Sequence, residues 1–291
     1  MLRQTTSLPS NQQQQDDDGW KKIHVYYHKR EALLDGIMVE PPNTPKGKKD
    51  QGVSVITSSG QKQQQHLEWY GQVQQDKAIV DLLGTSSGMY FVDLAANDAK
   101  EFSNTLALEH KGWTGLCLEP NPQYWYGLAH RKCTVVGALV GGKPSKNLSQ
   151  EQDPVLVKFR GVFGGIVGRM DEKLANFKKE PSAAVEKRYT VPLVDVLQKY
   201  HVPQTIDYMS LDVEGAEYLI MQDFPFDTYT IRVMTIERPT PELIKLLHQH
   251  DYLQLKELAW WGETLWAHKS TGFTPDHPKV LALPTEQRNT K

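Results

Sequence analysis

Tyr90-Phe91-Val92-Asp93-Leu94-Ala95-Ala96-Asn97-Asp98-Ala99 joins an apolar run carrying one acid to a turn of small and polar residues. A short apolar run ending in a turn reads as a buried strand, and small side chains beyond it let the backbone swing tightly into a helix. In an open parallel sheet such turns lie at the carboxyl ends of the strands, where ligands bind. A purely structural turn uses the same small residues, so this stretch alone leaves both readings open.

Working outward, Gly112-Trp113-Thr114-Gly115-Leu116-Cys117-Leu118-Glu119-Pro120-Asn121-Pro122 repeats the pattern: an apolar strand, then an acid, then a turn fixed by two prolines. Glu119 follows Asp93 by 26 residues, about the spacing at which an acid on the next strand reaches a ribose diol. The pair favours nucleoside binding over two unrelated turns. Further on, Ile206-Asp207-Tyr208-Met209-Ser210-Leu211-Asp212-Val213-Glu214-Gly215-Ala216-Glu217 ends a third strand in Asp212, and residues 232–237 end a fourth in Glu237. Asp212, Glu214 and Glu237 are the candidate catalytic residues, able to orient or deprotonate an acceptor hydroxyl. They also offer the oxygen ligands that divalent cations take, although no spacing demands a metal and none is expected. Glu217 is expected to cap the helix that follows, where a carboxylate suits the dipole.

Around these motifs the chain alternates strands and helices. Strands are expected at 90–94, 115–118, 134–140, 206–213, 232–237, 253–257 and 264–269, and helices at 101–110, 122–131, 193–200, 215–224 and 241–250. Thr240 and Pro241 suit the N-cap and first turn of the last helix. The result is an α/β fold: a doubly wound, mostly parallel seven-stranded sheet closed by a C-terminal antiparallel hairpin. Residues 141–190 form an insertion with a glycine-dense run at 161–168, the kind of excursion that walls a site. Residues 1–19, rich in Gln and Asp, read as a disordered tail; 20–66 as an extension and linker; 67–270 as the domain; 271–291 as a C-terminal tail.

A net charge of −2 without a dense basic block argues against nucleic acid as a partner. No run of about 18 apolar residues occurs, so no membrane span is expected and a soluble, cytoplasmic chain is the default. Asn147-Leu148-Ser149 fits the glycosylation sequon, a tripeptide common by chance. The two cysteines, Cys117 and Cys133, lie in apolar runs and read as buried free thiols. Ten histidines are scattered without a metal-binding pattern, and the Trp260-Trp261 pair reads as packing rather than as a substrate wall.

The segments 91–105, 112–122 and 206–217, followed by the strand ending in Glu237, resemble in order and spacing those of the FkbM family of methyltransferases. The resemblance implies a class I (Rossmann-like) methyltransferase fold with S-adenosylmethionine as cofactor. It places Asp93, Ala95, Asn97, Asp98, Glu119, Pro120, Ala138 and Leu139 around the cofactor, with Asp93 near the amino acid tail and Glu119 on the ribose. It further implies O-methylation of a hydroxyl on a sugar or small polar metabolite, so a small-molecule or glycan acceptor is the expected partner. One departure bears on activity: Ala95 and Ala99 stand where the family's loop usually carries glycine. A fold that binds without turnover is therefore the alternative.

Overall fold

The computed structural model describes residues 21–26, 33–39, 69–142, 154–160, 163–168 and 185–288. The expected tail at 1–19, most of the linker and the sequon at 147–149 lie outside the described residues. In chain order the elements are β1 Lys21–Tyr26, β2 Leu33–Val39, α1 Gln75–Leu83, β3 Tyr90–Leu94, α2 Leu106–His110, β4 Thr114–Leu118, α3 Trp125–Leu128, β5 Thr134–Gly137, β6 Leu139–Gly141 and β7 Val155–Arg160. They continue with β8 Phe163–Ile166, β9 Val185–Arg188, β10 Thr190–Pro192, α4 Leu193–Lys199, β11 Thr205–Leu211, α5 Glu217–Met221, β12 Thr230–Glu237, α6 Pro241–Gln249, β13 Tyr252–Ala259, β14 Glu263–His268 and α7 Pro278–Leu281.

The main sheet has the order β13-β14-β12-β11-β3-β4-β5-β1-β2. From β1 to β12 every neighbouring pair is parallel, whereas β14 runs antiparallel to β12 and to β13. β3 and β11 lie next to each other although the chain between them builds β4 and β5 on the other side, so the winding reverses there. Such a reversal opens a crevice at the carboxyl edge.

Helices cover both faces, which is why the central strands are apolar at nearly every position. Side chains alternate across a strand, and Val92 and Leu94 enter one core while Phe91 enters the other. The first core is closed by Leu193, Val196 and Leu197 of α4, Ile220 and Met221 of α5 and Leu243 and Leu247 of α6. The second is closed by Ala78, Ile79 and Leu82 of α1, Leu108 of α2, Trp125 and Leu128 of α3 and Val280 of α7. α6 begins as its sequence predicts: the Thr240 side chain accepts from the Leu243 amide and Pro241 opens the helix.

Several expectations need correction. All seven expected strands lie in the sheet, and β1 and β2 extend it to nine: β1 joins β5 in parallel and β2 folds back on β1, with residues assigned to the linker. The strand expected at 134–140 breaks at Ala138, and β6 leaves to pair with β10. The helix expected from 101 starts only at Leu106: the Asp98 carboxylate takes the amides of Lys100 and Glu101, and Phe102 adopts a left-handed conformation (φ 59°). Glu214 and Gly215, at φ 52° and 93°, likewise delay α5 to Glu217. Within the expected C-terminal tail, residues 271–288 pack on the domain: Val280 and Leu283 are buried and the Lys256 ammonium donates to the carbonyls of Val280, Leu281 and Leu283. The cysteines are not free thiols. Cys117 and Cys133 form a disulfide across neighbouring strand ends, 16 residues apart in sequence, and both are buried.

Candidate functional site

Register aligns the acids. Leu94 pairs with Leu118 on one side and Leu211 on the other, and Leu211 pairs with Ile236. The next residues, Ala95, Glu119, Asp212 and Glu237, therefore stand side by side along the carboxyl edge. Glu237 in turn faces Glu263 at the start of β14.

The two loops expected to hold a nucleoside are tied to each other by Glu119. Its Oε2 accepts from the Asn97 amide at 2.8 Å and its Oε1 from the Asn121 amide at 2.7 Å. The Ala96 amide donates to the Leu118 carbonyl and the Trp125 indole N–H to the Glu119 carbonyl. Gly137 makes room for that indole, because a Cβ there would collide with the Trp125 ring. Glu119 is almost wholly buried, and burial pushes its carboxyl up to about 7 against the lowering effect of the two amides. Ala95 and Asn97 both hold left-handed backbone, at φ 58° and 54°, the conformation for which a glycine is the usual choice.

Asp93 faces inward. It is buried and accepts a 2.6 Å hydrogen bond from Thr105, and burial raises its carboxyl while the Thr105 hydroxyl and the Arg131 charge lower it. Arg131 donates to Thr105 and Ser103 and forms a buried ion pair with Glu109 at 3.1 Å. Glu109 also accepts from the amides of Lys132 and Cys133, so this network ties the β3 loop to α2 and the start of β5.

Between the loops and the insertion lies an apolar pocket. Of the residues expected at the cofactor, Ala95, Pro120, Ala138 and Leu139 line it. Asp93, Asn97, Asp98 and Glu119 do not line it: Asp93 and Glu119 are buried, the Asn97 amide is bound to Glu119, and Asp98 lines a separate surface hollow with Tyr70 and Phe102. The opposite wall is made by Phe159, Gly164, Gly165 and Ile166 of the insertion, the excursion expected to wall a site, and by Val213 and Ala216 beyond β11, which sequence reasoning did not assign to the pocket. The glycine-dense run was the signal for the insertion.

Next to the pocket, carboxylate oxygens of Asp212, Glu214 and Glu237 lie within 4.8 Å of one another. Asp212 Oδ1 is closed off from solvent and has no hydrogen-bond partner. Burial and then the charges of Glu237 and Glu217 push Asp212 well above the carboxylate range. Burial and the Glu214 charge raise Glu237 to about 7, with Arg238 opposing; its guanidinium lies 3.0 Å from Glu237 Oε1. Glu263, which sequence reasoning did not single out, is buried and raised to about 8 by burial and by Asp212. Glu217 takes the amides of Val213 and Gly215, holding the turn before α5. Among the described residues no helix is long and apolar enough to cross a membrane.

A family model described as a methyltransferase FkbM domain matches residues 93–253, more than half of the chain and the segment that carries both the loops and the acid cluster. No curated protein and no solved structure matches the chain.

Proposed function

The chain belongs to the FkbM methyltransferase family, and from that premise we propose that it moves a methyl group from S-adenosylmethionine to a hydroxyl of a sugar or another small polar metabolite, in a class I fold. The observation that carries the reading is the register: the pocket at Ala95, Pro120, Ala138 and Leu139 and the carboxylates of Asp212 and Glu237 share one edge of one sheet. Donor and acceptor halves of a transfer site are thereby neighbours.

The residues present fit the cofactor in part. The pocket wall at Ala95, Pro120, Ala138 and Leu139 is apolar, while Glu119, whose oxygens each accept one backbone amide, keeps acceptor capacity but is almost wholly buried and does not line the pocket. Ala95 keeps the left-handed conformation of a glycine loop, and its methyl group forms part of the apolar wall. When bound, S-adenosylmethionine supplies a methyl group already activated on a sulfonium. What remains for the protein is alignment and a proton acceptor. Glu237 changes charge near neutral pH and Asp212 stands beside it, so this pair can hold the acceptor hydroxyl and take its proton as the oxygen–methyl bond forms.

Calorimetric titration of the full chain with S-adenosylhomocysteine tests the reading. Saturable binding is expected, weakened by about 1 to 3 kcal/mol in Glu119→Ala. No heat at millimolar ligand overturns it. The alanines at 95 and 99 favour a second reading, binding without turnover, which predicts that the same titration succeeds while no methylated product ever forms.

A further inference from the structure

The turn 260–262 projects from the same edge as the acids. β14 runs antiparallel to β12 with Glu263 opposite Glu237, so the residues just before Glu263 reach beyond the carboxyl ends of the parallel strands. This turn is held firmly. The Arg238 amide donates to the Gly262 carbonyl at 2.9 Å, the Arg238 Nε to the Trp261 carbonyl at 3.1 Å, and the Trp260 amide to the Glu286 carbonyl at 3.2 Å. The rings are held too: Trp260 and Trp261 meet edge to face at 5.7 Å, and the Arg288 guanidinium sits 5.2 Å from the Trp260 ring centre.

Trp260 nevertheless leaves 50% of its surface exposed. Isolated exposed apolar side chains are ordinary, but this one is contacted by the Trp261 ring and the Arg288 guanidinium, on a turn that leads directly into Glu263 opposite Glu237. An indole whose rotamer is already fixed offers a flat partner contact area with little ordering entropy left to lose. Arg238 connects the two features, touching the Trp261 carbonyl with one nitrogen and Glu237 with another.

Resting on the reading of hydroxyl methylation, we propose that Trp260 and Trp261 form the outer wall of the acceptor site, and that the acceptor presents a sugar ring whose C–H face lies against the Trp260 indole. The chemistry selects this class. Asp212 Oδ1 is buried without a hydrogen-bond partner and can receive a hydroxyl, which a hydrocarbon lacks; an indole face adds affinity for the polarised C–H bonds of a pyranose. The pair thus departs from the packing role expected from sequence, with Trp260 as the specificity-determining residue.

Saturation-transfer NMR on the full chain tests this, using the methyl glycosides of glucose, galactose, mannose and xylose at millimolar concentration, each with and without S-adenosylhomocysteine. At least one glycoside should receive saturation, strongest on the axial protons of one ring face. Trp260→Ala should cut the signal by about five- to ten-fold while Trp260→Phe keeps it within about two-fold, as expected when a stacked ring is lost or kept. S-adenosylhomocysteine binding, read by calorimetry, should be unchanged in both variants. If the parent binds S-adenosylhomocysteine but transfers saturation to no glycoside, or if Trp260→Ala behaves as the parent, the wall is refuted. If the parent binds no S-adenosylhomocysteine, the methyltransfer reading fails by itself, and the glycoside signal still decides whether Trp260 is a sugar platform.

Discussion

Replacing Glu119 by Gln separates a charge effect from a hydrogen-bond effect in the ligand-free protein. The side chain is 4% exposed, and its carboxyl is raised from 4.5 to about 7 mainly by burial. Between those values the folded chain holds a proton that the unfolded chain has released, so stability falls as pH rises through the window and the loss is complete above about 7. A shift of that size corresponds to roughly 3 kcal/mol, of which about 2 to 3 kcal/mol should develop between about pH 5 and pH 8. Gln keeps the shape but carries no titrating proton. Its amide can accept from only one of the Asn97 and Asn121 N–H groups, which costs about 1 to 3 kcal/mol at every pH. The substitution therefore lowers the whole stability curve while removing part of its slope. Urea unfolding of parent and variant at the two pH values measures this: the parent's advantage should shrink by about 2 to 3 kcal/mol on going to the higher pH. Parallel curves, within about 0.5 kcal/mol, would refute the claim that Glu119 is a buried carboxyl titrating near 7.

Ala95→Gly should hold or raise stability by up to about 1 kcal/mol, because relief of the left-handed alanine at φ 58° exceeds the added freedom of the unfolded chain; a lower calorimetric midpoint for the glycine variant would sink the strain argument. The purified chain, unfolded without reductant, should show no reactive thiol, and Cys117→Ser with Cys133→Ser should cost about 3 kcal/mol for a closed loop of this length. Two titratable thiols in the parent would contradict the bond. Asp212→Asn should fold and bind S-adenosylhomocysteine within a few-fold while methylation, once an acceptor is found, slows by at least about 10²; near-normal turnover would remove Asp212 from the chemistry. In the parent, the rate should climb as pH rises through about 7, where Glu237 loses its proton and becomes able to accept another. A pH-independent rate would show that no such carboxylate takes part.

The parts of the fold legible in sequence were those whose physics is local. Residues 90–94 and 233–236 are mostly apolar because both faces of their strands are buried, and the cap Thr240 with Pro241 marks a helix start. Asp212, Glu214 and Glu237 could be singled out for the same reason, as acids placed just beyond apolar runs. What was not legible depends on partners remote in the chain. The Cys117–Cys133 bond needs β4 and β5 to be adjacent and parallel, a fact of topology that spacing alone does not carry. α1 was missed because Ala78, Ile79 and Leu82 make a short apolar stripe that is stable only against the second core.

Glu263 shows how far this dependence reaches into the site. In sequence it is an unremarkable acid after Trp260-Trp261-Gly262. Its place opposite Glu237 follows only once β14 has inserted between β12 and β13, antiparallel to both. That same insertion carries the tryptophan turn to the carboxyl edge and sets Arg238 between the turn and Glu237. Four carboxylates thus meet at one edge although they come from three strand ends and one turn, and each raises the cost of ionising the next. Such crowding destabilises the folded chain above neutral pH, and its presence beside an apolar pocket supports the proposed acceptor site. The proposed cofactor loops can be read from two short motifs and three of the acids from the ends of apolar runs; Glu263 joins them only in the assembled sheet.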